Sequence, residues 1–135
     1  MVHATGRFDP APGDALTMRT LPLFFDVLRL LLERGVTTVA EAAFQDKLWT
    51  PNLETLAERA TLRVVQCHTE PATAWQRMGD RAKSRNAHAD SEVIENPHYF
   101  DDFRRLTMPA PSIDVDTTSG YEPSIERLVT FVDDG

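Results

Sequence analysis

The chain has 135 residues, of which 41% are hydrophobic and 26% charged, with a formal net charge of -7. That balance fits one globular domain over residues 1–135, and the acidity excludes a general nucleic-acid binder. Cys67 is the single cysteine, which excludes an intrachain disulfide and fits a reducing, cytoplasmic setting; the apolar run of residues 21–32 is broken by Asp26 and Arg29 and is too short to span a bilayer.

Residues 1–18 carry Gly6, Pro10, Pro12 and Gly13 and read as an irregular lead-in without the marks of a signal peptide. Residues 19–34 are expected to be helical, with Pro22 in the first turn and Gly35 at the C-terminal position. Asp26, Arg29 and Glu33 make one narrow polar stripe, so most of this helix is expected to be buried. VTTVAEAAF, residues 36–44, begins β-branched and reads as a buried strand with Glu41 near its end. Thr50 is placed to cap a helix with Pro51 at its first position.

LRVVQCH, residues 62–68, reads as a second strand, with Cys67 as a small buried hydrophobe, and EPATAWQRMGDRAKS follows as a helix. A polar connector, NAHADSEVIEN, leads to a short helix over residues 97–106, which PAP at 109–111 ends. Residues 71–106 together make a helical region. SIDVDT, residues 112–117, is a third strand, and residues 122–132 a closing amphipathic helix. Strands separated by helices predict an α/β domain with a three-layer arrangement, a parallel sheet flanked by helices. Ligands in such folds sit at the carboxyl ends of the strands, which here carry Glu41, His68–Glu70 and Asp116–Tyr121. Three parallel strands make a thin sheet, as though one were absent.

Arg77, Arg81 and Arg85 recur every fourth residue and share one helix face. Such a stripe reads either as a solvated surface with partners such as Asp80 or as a cationic site for an anion. Glu41 reads as a general base or metal-side carboxylate, or as a buried partner of an arginine. His88 and Asp90 follow the stripe in a polar loop. His68, His88 and His98 lack zinc-ligand spacing, and no serine sits in a nucleophile elbow. Trp49 and Trp75 read as packing residues.

GVTTVAEAAFQDKLW, LRVVQCHTEPATAWQRMGDRA, NAHAD and PAPSIDVDTTSGYEPSIERLVTFV together resemble bacterial P-loop ATP-binding proteins of the AAA-type, kinase-like group, related to chloramphenicol phosphotransferase and zeta-toxin-like kinases. The resemblance runs from about Met1 to Val132. It implies a P-loop kinase-like fold, ATP and Mg²⁺ as cofactors, and phosphoryl transfer to a small-molecule hydroxyl, with neither nucleic acid nor membrane as partner. It makes Glu41 the base or metal-side carboxylate, and Arg77, Arg81 and Arg85 the lid cations over the transferred phosphate. Asp116, Thr117, Thr118 and Tyr121 then lie by the nucleotide, His88 and Asp90 by the substrate, and residues 71–106 form the lid region. The family's first strand and G-x-x-x-x-G-K-[ST] loop have no counterpart: GRFDPAPG, residues 6–13, has glycines but no Gly-Lys-Ser or Gly-Lys-Thr. The expectation is an N-terminally truncated or mis-started member, inactive alone. The alternative is a non-catalytic interaction module or split-enzyme half that pairs with a partner strand.

Overall fold

The computed structural model describes residues 15–84 and 105–133. The elements are α1 (Ala15–Glu33), α2 (Asp46–Ala57), β1 (Val64–His68), α3 (Pro71–Ser84), β2 (Ser112–Asp116) and α4 (Ile125–Asp133). Helix and strand are mixed, and the sheet is a parallel pair, with Val64 opposite Ser112 and His68 opposite Asp116. The strand expected at residues 36–44 is not in this sheet.

α1 starts four residues earlier than expected and therefore holds Pro22 inside it. Pro22 lies on the exposed side of the helix, and its missing N–H leaves the carbonyl four residues earlier without its usual helical donor. The other end matches the sequence. Gly35 has φ of 70°, its N–H donates to the Leu32 carbonyl at 2.9 Å, and Val36 N–H donates to the Leu31 carbonyl at 3.0 Å. These two bonds make a Schellman closure, which the left-handed glycine permits.

The narrow polar stripe misleads about burial. Leu21, Phe25 and Leu28 enter the core, but Leu23, Val27 and Leu30 stay exposed. One face of α1 packs in a cluster with α2, Val64 at the start of β1 and residues 106–110, and the described residues supply no second layer for the opposite face. Trp49 of α2 anchors the core through edge contacts with Phe24 and Phe44 at 5.1 and 4.8 Å and a tilted contact with Phe25 at 5.3 Å. Pairs of this geometry add to the apolar burial itself.

α2 opens at Asp46, so Thr50 is not its cap and Pro51 falls inside. Thr50 Oγ1 instead donates to Asp46 Oδ1 at 2.6 Å, and the same oxygen accepts the Thr107 N–H at 2.8 Å. An acidic side chain in the first turn also suits the helix dipole. This three-residue clasp ties the start of α2 to the segment leading into β2. Hydrogen bonds from the Thr50 hydroxyl, then the Thr107 amide, hold the Asp46 carboxyl below its usual range.

Residues 36–45 are not helical and pair with no strand. Their burial nevertheless alternates: Thr38, Ala40, Ala42 and Phe44 are half-buried, while Val39, Glu41 and Ala43 are exposed. Ala40, Ala42 and Phe44 pack on the same core cluster as Leu62 and Val64. The strand period is present, but the ladder is missing. Cys67 is exposed rather than buried. The expected helix over 97–106 falls largely outside the described residues, and its end at Arg105 and Leu106 is not helical. α4 begins at Ile125, three residues later than expected, and Glu122 forms an antiparallel bridge with Asp116 instead of opening the helix. No residue of α4 is buried, and Ile125, Val129 and Val132 form an exposed apolar stripe.

Candidate functional site

The parallel register brings the carboxyl ends of β1 and β2 level, so His68–Glu70 and Asp116–Thr118 meet at one rim. Hydrogen bonds stitch the two loops together. Thr117 N–H and Oγ1 both donate to the His68 carbonyl, at 2.8 and 2.9 Å. The Thr69 and Thr117 hydroxyls lie 2.6 Å apart, and Glu70 N–H donates to Thr118 Oγ1 at 3.0 Å. Thr118 N–H donates to Asp116 Oδ1 at 2.7 Å. Bonds from the Thr118 hydroxyl and amide lower the Asp116 pKa, with a smaller contribution from His68, whose Nε2 is 3.9 Å from Asp116 Oδ2.

Arg77 reaches this rim from α3. Nη1 donates to the Thr117 carbonyl at 2.9 Å and Nη2 to the Thr118 carbonyl at 2.8 Å. Its planar fork spans two successive carbonyls, a geometry that a lysine does not reproduce. Arg77 is therefore a positioning residue for the 117–118 loop in this structure. Arg81 is one helical turn further along α3 and exposed; Arg85, His88 and Asp90 lie outside the described residues. Tyr121 is exposed at the outer end of the same loop. Glu41 is exposed on the 36–45 segment instead of sitting at the end of a buried strand, because that segment has joined no sheet.

Sequence reasoning placed His68–Glu70 and Asp116–Tyr121 at strand ends and missed two features. Arg105 donates to Asp114 Oδ2 at 2.8 Å and to Ser112 Oγ at 2.7 Å, pinning β2 from outside. Asp46 fastens Thr107 as described above. A short-range pattern gives no hint of Thr107, which lies 61 positions from Asp46.

The chemistry of this rim has a clear limit. The side-chain oxygens of Asp116, Thr117 and Thr118 are engaged with neighbouring groups of the protein, so these residues do not form a phosphate cradle by themselves. Among the described residues, no group of three or more His, Cys, Asp or Glu is placed to hold a metal ion. The described residues therefore do not fit Mg²⁺ or a triphosphate unaided. An open depression of about 550 Å³ lies at the other end of the strands, between residues 57–62 and 109–111. It gathers Glu58 and Arg59 with small and apolar groups, and Arg59 already pairs with Glu33 at 3.2 Å. No described helix is long and apolar enough to cross a membrane. In comparisons with known proteins, no family model matches the sequence, and neither a curated protein nor a solved structure matches it.

Proposed function

We propose that this chain is the part of an ATP-dependent, kinase-like unit that surrounds the reacting groups but does not hold the phosphates. The observation that supports it is the rim itself. Two parallel strands end level, and both loops and an α3 arginine are fixed there by six short hydrogen bonds. That is where α/β folds present ligand sites. The finer reading, a three-layer P-loop kinase-like domain, rests on the sequence resemblance.

In the complete unit, phosphate-binding backbone groups come from a G-x-x-x-x-G-K-[ST] loop outside these 135 residues. This chain contributes Glu41 toward the acceptor hydroxyl and Arg81 and Arg85 toward the transferred phosphoryl group. Arg77 orients the loop of Thr117, Thr118 and Tyr121 on the nucleotide side, with Asp116 bracing it from within. His88 and Asp90 belong to the substrate side. The acceptor is a small molecule bearing a hydroxyl.

The test is calorimetry with Mg-ATP on two proteins: the 135 residues alone, and the same chain carrying a fused strand and phosphate loop. Alone, affinity is expected to be millimolar or weaker, about -4 kcal/mol or less in magnitude. Micromolar affinity of the 135 residues would overturn the division of labour. Absence of any gain in a folded, extended protein would overturn the ATP reading.

A further inference from the structure

α1 has two apolar faces, and the described core uses one of them. Leu21, Phe25 and Leu28 enter the core, while Leu23, Val27 and Leu30 on the opposite side are 62%, 56% and 56% exposed. With Thr20 these residues recur at steps of three, four and three, which keeps them on one narrow stripe. That spacing is the seam of a two-helix pairing, narrower than the face a helix lays on a sheet. The two flanks of the stripe differ. Thr17, Phe24 and Leu31 on one flank are half-buried in the chain's own fold; Arg19, Asp26 and Glu33 on the other are exposed and recur every seventh residue.

We propose that this stripe pairs with the same stripe of a second copy of the chain, as an antiparallel helix pair on a two-fold axis. Direction follows from the flanks. In an antiparallel pair the same flank of each helix meets its counterpart, whereas in a parallel pair opposite flanks meet, and only the charged flank of α1 is open. Setting Leu23 against the second copy's Val27 also sets Thr20 against its Leu30, and the two-fold axis repeats both contacts. The same setting brings Arg19 to within about 3 Å, measured along the helix axis, of the second copy's Glu33. Symmetry makes the reciprocal pair.

Charge complementarity selects the partner. Among the described residues Arg19 has no ion-pair partner. Glu33 receives Arg59 on Oε1 at 3.2 Å, which leaves Oε2 for a second guanidinium. Asp26 meets the second copy's Asp26 near the axis, and each is already paired with its own Arg29 at 3.1 Å. The order Arg19, Asp26, Glu33 is therefore matched at both ends by its own reverse. A net charge of -7 on each chain opposes association in any register that lacks such matches. The seam is short, so the pair forms and dissociates with concentration. The inference concerns α1 alone and does not depend on the ATP reading, which concerns the rim.

The experiment is sedimentation equilibrium of the 135-residue chain from about 10 µM to about 1 mM, repeated on three variants at exposed sites. The expected result is an average mass that rises toward twice the monomer's as concentration increases. Val27→Glu is expected to keep the chain monomeric throughout, with the melting temperature measured at about 10 µM unchanged because the site is exposed. Arg19→Glu alone and Glu33→Arg alone each set like charges together twice and are each expected to weaken association about tenfold. An equimolar mixture of those two variants restores opposite charges at both contacts and is expected to recover the affinity of the unaltered chain. A monomer at every concentration, a dimer insensitive to Val27→Glu, single charge variants that associate as tightly as the unaltered chain, or a mixture no tighter than either variant alone would each overturn the proposal.

Discussion

Replacing Arg77 by alanine removes two charge-assisted hydrogen bonds, at 2.9 and 2.8 Å, that hold successive carbonyls of the 117–118 loop. Bonds of this kind contribute about 1.5–3 kcal/mol each when shielded, but Arg77 is exposed and water replaces it at both carbonyls. About 1 kcal/mol per bond is therefore the working value, for a total loss of about 1–2 kcal/mol. In a domain of this size that lowers the melting temperature by roughly 4–8 °C. The loss is local first, so amides of Glu70 and Thr118, whose bonds depend on the loop's position, are expected to exchange faster than the core amides of α2. Arg77→Lys keeps the charge but not the fork and is expected to fall about halfway between. Urea denaturation and amide exchange on the three proteins give the answer. Unchanged exchange at Glu70 and Thr118 in Arg77→Ala would refute the positioning role.

Three further outcomes follow from the packing and the carboxylates. Phe25→Ala, at a position only 3% exposed and in contact with Trp49, is expected to cost about 3–5 kcal/mol by urea denaturation. Folded-state pKa values of Asp46 and Asp116 are depressed, so the unfolded chain binds more protons in acid; the stability these groups add is complete above about pH 5 and drains away as pH falls below about 4. Asp46→Asn is expected to flatten the acid limb of a urea-midpoint profile, and an unchanged limb would contradict the clasp with Thr50 and Thr107. Thr117→Val deletes the hydroxyl shared with Thr69 and the His68 carbonyl, and is expected to cost about 1 kcal/mol in the same assay.

Elements whose signals are local were legible in the sequence. The Gly35 closure of α1, the Pro71 start of α3 and both strands of the sheet follow from capping and β-branched runs, to within two residues at strand ends. Errors arose where tertiary context decides. A narrow polar stripe on α1 implied burial of most of the helix, which requires a second layer that the described residues do not provide. VTTVAEAAF has the composition and the burial period of a strand, yet pairing needs a neighbour, and composition carries no information about that neighbour. Thr50 and Pro51 imitate a helix start, but Asp46 offers an earlier one and uses Thr50 for its own hydrogen bond. At the rim, the residue types were anticipated and their bonding was not. Arg77 donates inward to two carbonyls 40 and 41 positions away, a distance at which helical spacing is silent.

The most direct measurement for the functional account is a titration of the isotope-labelled 135-residue chain with Mg-ATP, read by amide chemical shifts. The account predicts weak, millimolar binding with shifts concentrated at His68–Glu70 and Thr117–Tyr121 and reduced by Arg81→Ala. Shifts centred on the depression between residues 57–62 and 109–111, or saturation at micromolar nucleotide, would contradict it.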